Sequence, residues 1–145
     1  MQKLIASIIF TMLVVANSLS FGATLNSMNQ DQLETAIVNK TFISIATDNL
    51  NGRTIDNTFS MFLDDHGNIF GEMAYKPKNE PQTDSGVYSI ADDGTFYITW
   101  QHWDGAKKLC GHLFNAENAY ISIDCAHVFH TVFMKDTIRS GNQLK

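Results

Sequence analysis

Basic residues are scarce in this chain: ten Lys and Arg stand against fifteen Asp and Glu, a formal net charge of −5. An acidic domain repels phosphate backbones, which argues against a nucleic-acid partner. The one basic cluster, Lys107 with Lys108, reads as a solvated strand end. Proline is scarcer still. Both prolines fall in the segment Lys76 to Thr83 (KPKNEPQT), which has no aliphatic or aromatic residue and reads as the longest loop. No Gly-x-Ser-x-Gly occurs, so no serine sits in a nucleophile elbow. No pair of ligands has the spacing of a zinc site, and His127 and His130, three apart on an extended chain, fall on opposite faces. No metal and no cofactor are expected.

Apolar runs are also few, and the one long run is at the start. Lys3 precedes Leu4 to Ala16 (LIASIIFTMLVVA), which is shorter than the roughly 20 residues a membrane span needs. Small and polar residues follow, with Ser20 and Gly22 at the positions a signal peptidase reads. Residues 1–22 are therefore expected to be a cleaved signal peptide, with Ser20 as the alternative cleavage point. The remainder, 23–145, is expected to be one domain in the periplasm or outside the cell, with no membrane span. Loss of Lys3 takes the formal charge from −5 to −6.

What is present is alternation. From Asp84 to Cys125, short apolar-alternating runs are separated by turn signals, and the pattern extends to both sides. A short helix capped by Asn29 or Ser27 should run through Ile37, with Leu33, Ala36 and Ile37 on one face. Strands follow over Thr41 to Ala46, Thr58 to Leu63, Asn68 to Tyr75, Ser85 to Ile90, Thr95 to Trp100, Ala106 to Phe114, Ala119 to Asp124 and Val128 to Lys135. Turns are marked by Asn51-Gly52, by Asp64 to Gly67 and by Ala91 to Gly94. Gly71 inside a strand suggests a bulge or a close backbone approach. The expected fold is all-β: about eight antiparallel strands in an up-and-down barrel, whose closure removes sheet edges.

Both cysteines lie in the exported part, where an oxidising compartment permits a disulfide. If Glu117 and Asn118 form the centre of a hairpin turn, Cys110 and Cys125 fall opposite each other, Phe114 faces Ile121, and His112 faces Ile123. A cross-strand bridge is one reading, and two buried thiols the other.

Several residues carry a family resemblance. The Lys40-Thr41-Phe42 strand, the hairpin Asp64-Asp65-His66-Gly67-Asn68-Ile69-Phe70-Gly71, the run Asp84-Ser85-Gly86-Val87-Tyr88, then Asp93-Gly94, Trp100, Gly141-Asn142 and Leu144 occur in this order. The order resembles small exported bacterial lipocalin-like (calycin-type) domains, most of them without an established function. The resemblance implies a barrel with a habit of binding small apolar molecules. Such domains carry a cysteine just before the strand tryptophan, where this chain has Tyr97 and Ile98, so any disulfide here must join Cys110 to Cys125.

Aromatics make up 11% of the chain. A barrel of this size is either filled by its side chains or holds one small ligand. An open interior would place Phe62, Phe96, Trp100 and Phe114 around an apolar or amphipathic molecule, with His112 or Tyr88 to orient it. A second reading is a protein interaction module or inhibitor whose rim, Gln101 to Asp104 with the loop 76–83, presents His102 and Trp103 to a partner. On that reading Trp103 is exposed; otherwise it folds back to close the barrel end. A hydrolase at the barrel mouth is the weakest reading, because the carboxylates cluster in turns, where Asp bonds nearby amides. Glu72, an acid in an apolar strand, is expected to face solvent.

Overall fold

The computed structural model describes residues 25–44, 59–74, 79–127 and 130–145. The expected signal segment 1–22, the Asn51-Gly52 turn, residues 76–78 of the proline-bearing loop and the side chain of His130 lie outside the described residues.

The chain enters through helix α1 (Gln30–Ile37). Asn29 begins it with a reciprocal cap: its side chain accepts the Gln32 N–H, and the Gln32 side chain accepts the Asn29 N–H, each at 3.0 Å. Leu33, Ala36 and Ile37 form the buried face, as their spacing requires. Asn39 ends the helix region at a left-handed φ of 56°, a conformation that asparagine tolerates. Its N–H donates to Leu63 O at 2.8 Å, which ties the helix exit to the sheet.

Among the described residues nine antiparallel strands follow: β1 (Lys40–Ile43), β2 (Phe59–Leu63), β3 (Asn68–Met73), β4 (Thr83–Ile90), β5 (Phe96–Trp100), β6 (Lys108–Asn115), β7 (Ala119–Asp124), β8 (His130–Met134) and the two-residue β9 (Arg139–Ser140). Strands β1 to β8 pair in sequence order, and β9 returns to the free edge of β1. The sheet curls into a half-barrel. Beyond β9, β1 meets β8 at a single bridge, Ser44 to Phe133. Continuous closure between β1 and β8, expected from the alternation, therefore does not form among the described residues. The reason is that β9 takes the edge of Lys40 and Thr41 that β8 would need. Thr41 helps to hold that tail in place: its Oγ1 donates to Gly141 O at 2.7 Å and accepts the Gln143 N–H at 3.0 Å, while the Gly141 N–H donates to Asn39 O at 2.8 Å.

The hairpins obey local chemistry. Between β2 and β3, Asp64 accepts the N–H groups of His66 at 2.9 Å and Asn68 at 2.8 Å, while Gly67 supplies a φ of 82°. The β6–β7 register places His112 opposite Ile123 and Phe114 opposite Ile121. One step further, the Cys125 N–H donates to Cys110 O at 3.0 Å and the two sulfurs are bonded, across a Cα–Cα distance of 5.6 Å. Gly71 makes no bulge; it pairs in register with Met61 and Asp84.

Pairing partners share a face, so the register defines the inside of the half-barrel. Phe42, Met61, Gly71 and Asp84 lie along one line of it, and Leu63, Ile69, Gly86 and Trp100 along the next. Phe96 and Ile98 continue this face onto Gly111 and Leu109 of β6, and Leu113, Ser122, Tyr120, Thr131 and Phe133 carry it across β7 and β8. The buried core is drawn from this face together with α1, whose Leu33 is fully buried, as are Leu63 and Ile69. Glu72 lies on the outer face, where its carboxylate accepts the Lys145 N–H at 3.0 Å. No helix among the described residues is long and apolar enough to cross a membrane.

Candidate functional site

The half-barrel has two different ends. At the end where β1 begins and β2 stops, α1 packs across the sheet, and Lys135 fastens the β6–β7 turn. Its ammonium donates to Asn115 Oδ1 and Ala116 O at 2.6 Å and to Glu117 O at 3.0 Å. Tyr88 also belongs to this end, its ring 5.8 Å from Phe96 and its hydroxyl donating to Asp64 O. Burial raises the Tyr88 pKa, and the Asp64 charge adds to that.

Between the helix and the opposite end lies a cavity of about 700 Å³. Leu33 and Ile37 of α1 line it on the helix side, and Phe42, Phe59, Met61, Phe96, Ile98 and Trp100 make up its aromatic and aliphatic wall. Edge-on contacts set that wall: the Phe133 ring lies 5.6 Å from Phe42 and 6.1 Å from Phe59. Ser44, Ser122, Asp124 and Thr131 line the cavity on the β1, β7 and β8 side, and Cys110 and Cys125 border it at the end away from the helix.

Trp103 lines the cavity as well, and its position corrects the expectation of an exposed rim. It is 3% exposed, with its ring centre 4.7 Å from that of Trp100. Both indoles lie over Gly71: a Cβ there would stand 2.4 Å from Trp103 Cζ3 and 2.8 Å from Trp100 Cη2. The glycine in β3 therefore makes room for two rings rather than for another backbone. Trp103 Nε1 donates to Pro81 O at 2.7 Å, which fixes the plane of the indole. His102, beside it, remains exposed.

Asp84 holds this arrangement. Its side chain is 1% exposed and accepts the N–H groups of Trp103 at 2.8 Å, of His102 at 2.9 Å and of Ser85 at 2.9 Å. The His102 imidazole completes the set, Nδ1 lying 3.0 Å from Oδ1. Burial pushes the Asp84 pKa up, but the donors from Trp103, His102 and Ser85 outweigh it and leave the carboxyl below its ordinary range. The backbone beyond is left-handed at Asp104, Gly105 and Ala106. The Asp104 carboxyl is displaced the other way, upward, by desolvation and by the neighbouring Glu80 carboxylate.

Of the six residues expected around a ligand, Phe96 and Trp100 line the cavity and Tyr88 packs below it on the same face. His112 borders it as well, whereas Phe62 and Phe114 do not take the places assigned to them. Phe62 pairs with Phe70 on the outer face, the rings stacked at 6.2 Å. Phe114 has the parity of Cys110 and His112, opposite to that of Leu113 and Gly111. His112 borders the cavity from that outer parity; its Nδ1 is buried without a hydrogen-bond partner among the described residues, and Asp93 lies near enough to feel its charge. Alternation within a strand shows which residues share a face, but not which face turns inward. Both faces of β2 and β6 carry aromatic or apolar groups, so the choice was open. Phe59 and Met61, which sequence reasoning passed over, are the alternate positions of the β2 run, and Phe133, passed over too, is an inward position of β8.

Among the described residues, no three His, Cys, Asp or Glu side chains converge as a metal site would require. The His66 and Asp65 pair, at 2.7 Å, is exposed on both sides. No family model matches the chain, and no curated protein or solved structure matches it.

Proposed function

We propose that this is a non-catalytic binding protein that takes one small apolar or amphipathic molecule into the half-barrel. The observation that carries the reading is the cavity of about 700 Å³, lined by Phe42, Phe59, Met61, Phe96, Ile98 and Trp100. Its size falls within the range of roughly 300–1,000 Å³ in which proteins enclose small molecules, and its wall is apolar with a few polar groups. Filling this space with side chains was the alternative, and the volume argues against it. The disulfide supports an oxidising compartment, and with the N-terminal apolar run it supports export to the periplasm or beyond.

The rim-contact reading has lost its anchor, since Trp103 is buried against Trp100 and is not offered to a partner. The two indoles instead provide the assay. Delipidated protein titrated with 11-bromoundecanol should show saturable, one-to-one quenching of tryptophan fluorescence. Absence of quenching, together with no uptake of any member of a fatty-acid and phospholipid panel in native mass spectrometry, would refute the proposal.

A further inference from the structure

The cavity wall differs from side to side, and the difference bears on what the bound molecule is. On β7 and β8 the inward residues Ser122 and Thr131 stand directly opposite each other and both line the cavity, as does the Asp124 carboxylate two positions along the same face. Across the seam, Ser44 lines it too, its hydroxyl accepting the Phe59 N–H at 2.9 Å. No Lys or Arg lies on this side among the described residues, and the titratable side chains that line the cavity besides Lys108 are His112, Asp104 and Asp124. Among the described residues, Lys108 is the one Lys or Arg that borders the cavity. Its ammonium lies 4.0 Å from the centre of the Tyr97 ring, and Tyr97 and Lys108 both have outer-face parity.

A carboxylate or phosphate seated here would lose its water without gaining a cation, and burial of an unpaired ion is costly enough that the group gives up its charge instead. Asp104 and Asp124, which line the same cavity, add repulsion. A hydroxyl head meets no such penalty, because Ser122 and Thr131 each offer a donor and acceptors. Volume sets the second limit. At about 30 Å³ per water-sized group, 700 Å³ holds roughly twenty such groups. That is one alkyl chain with a small head, and a two-chain lipid needs more than double.

We propose that the occupant is a single-chain amphiphile with an uncharged, hydroxyl-bearing head, its chain between the Phe42, Phe96 and Trp100 side chains and its head against the Ser122 and Thr131 hydroxyls. The inference rests on the ligand-binding reading above. It is tested on the wild-type protein by comparing dodecanol with dodecanoate at pH 7.5, both below their aggregation limits, with phosphatidylcholine as the two-chain probe. Dodecanol should bind about tenfold or more tightly than dodecanoate, and the gap should close near pH 4, where the dodecanoate carboxyl takes up its proton. Thr131→Val should cost dodecanol about fivefold and leave dodecanoate unchanged. Dodecanoate binding as well as dodecanol, or phosphatidylcholine binding better than either, would overturn the head-group or single-chain assignment while leaving the cavity as a binding site. If none of the three binds, the cavity reading falls as well.

Discussion

Replacing Asp84 tests the physical basis of the site most directly. In the native protein one buried carboxylate satisfies three backbone N–H groups and an imidazole, and two of those amides, at His102 and Trp103, set the path of the chain into the indole that walls the cavity. Asp84→Ala leaves those donors without an acceptor. Each buried amide bonded to a charged acceptor is worth about 1.5 kcal/mol or more, so loss of the two at His102 and Trp103 should cost about 3 kcal/mol. Asp84→Asn keeps one carbonyl oxygen and should cost about 1 kcal/mol. His102→Ala removes a partner whose side chain is 64% exposed, and should cost less than about 1 kcal/mol. Urea unfolding followed by tryptophan fluorescence and far-ultraviolet circular dichroism gives all three values. The pH dependence supplies an internal check. Because the folded-state pKa of Asp84 is depressed, its contribution is fully present above the unfolded value of about 3.9 and is lost as pH falls through the lower folded value. The gap between wild type and Asp84→Asn should therefore be constant from pH 7 to about 5 and shrink below about 4. An Asp84→Ala protein within about 0.5 kcal/mol of wild type, or a gap that does not shrink in acid, would refute the argument.

Two further outcomes follow from the same geometry. Gly71→Ala forces a methyl into the space held by Trp100 and Trp103, so it should destabilise by about 1–3 kcal/mol and weaken the near-ultraviolet signal of the coupled indoles; an unchanged spectrum would show that they are not seated on Gly71. Reduction of Cys110–Cys125, which closes a separation of 15 residues, should lower unfolding stability by about 3 kcal/mol, read as the shift in urea midpoint with and without a phosphine reductant.

How far the sequence foretold this arrangement depends on the range of the interaction. The α1 cap, the Asp64 turn and the β6–β7 register are decided by residues a few positions apart, and their side chains announce them: Asn29 with Gln32, Asp64 with Gly67, Glu117-Asn118 between two alternating runs. The two-residue strand β9 has no such signal, because Arg139 and Ser140 are polar and find their partner a hundred residues back, at Lys40 and Thr41. Asp84 is similar. Its local pattern reads as an ordinary strand start, and only folding brings in the amides 18 and 19 positions later. Trp103 was ambiguous for the same reason: beside Asp104 and Gly105 it looks like a loop residue, and nothing nearby in sequence tells of the space above Gly71.

This division also explains why the two ends of one sheet can serve different purposes. The helix end is made of several interactions that reinforce each other: a reciprocally capped helix, a lysine across a hairpin turn, and Leu33, Leu63 and Ile69 with no surface exposed. Such packing leaves no volume to give. The other end is held by fewer connections, the Asp84 carboxylate under Trp103, one bridge from Ser44 to Phe133, and the disulfide. Local stability lost at that end need not spread through the sheet, since cooperative units open independently where contacts between them are sparse. Hydrogen exchange should therefore find the amides of Leu63 and its partner Ile69 among the slowest and those of Gly105 to Lys107 among the fastest, and uniform protection across both groups would show that the cavity end is as tightly coupled as the helix end.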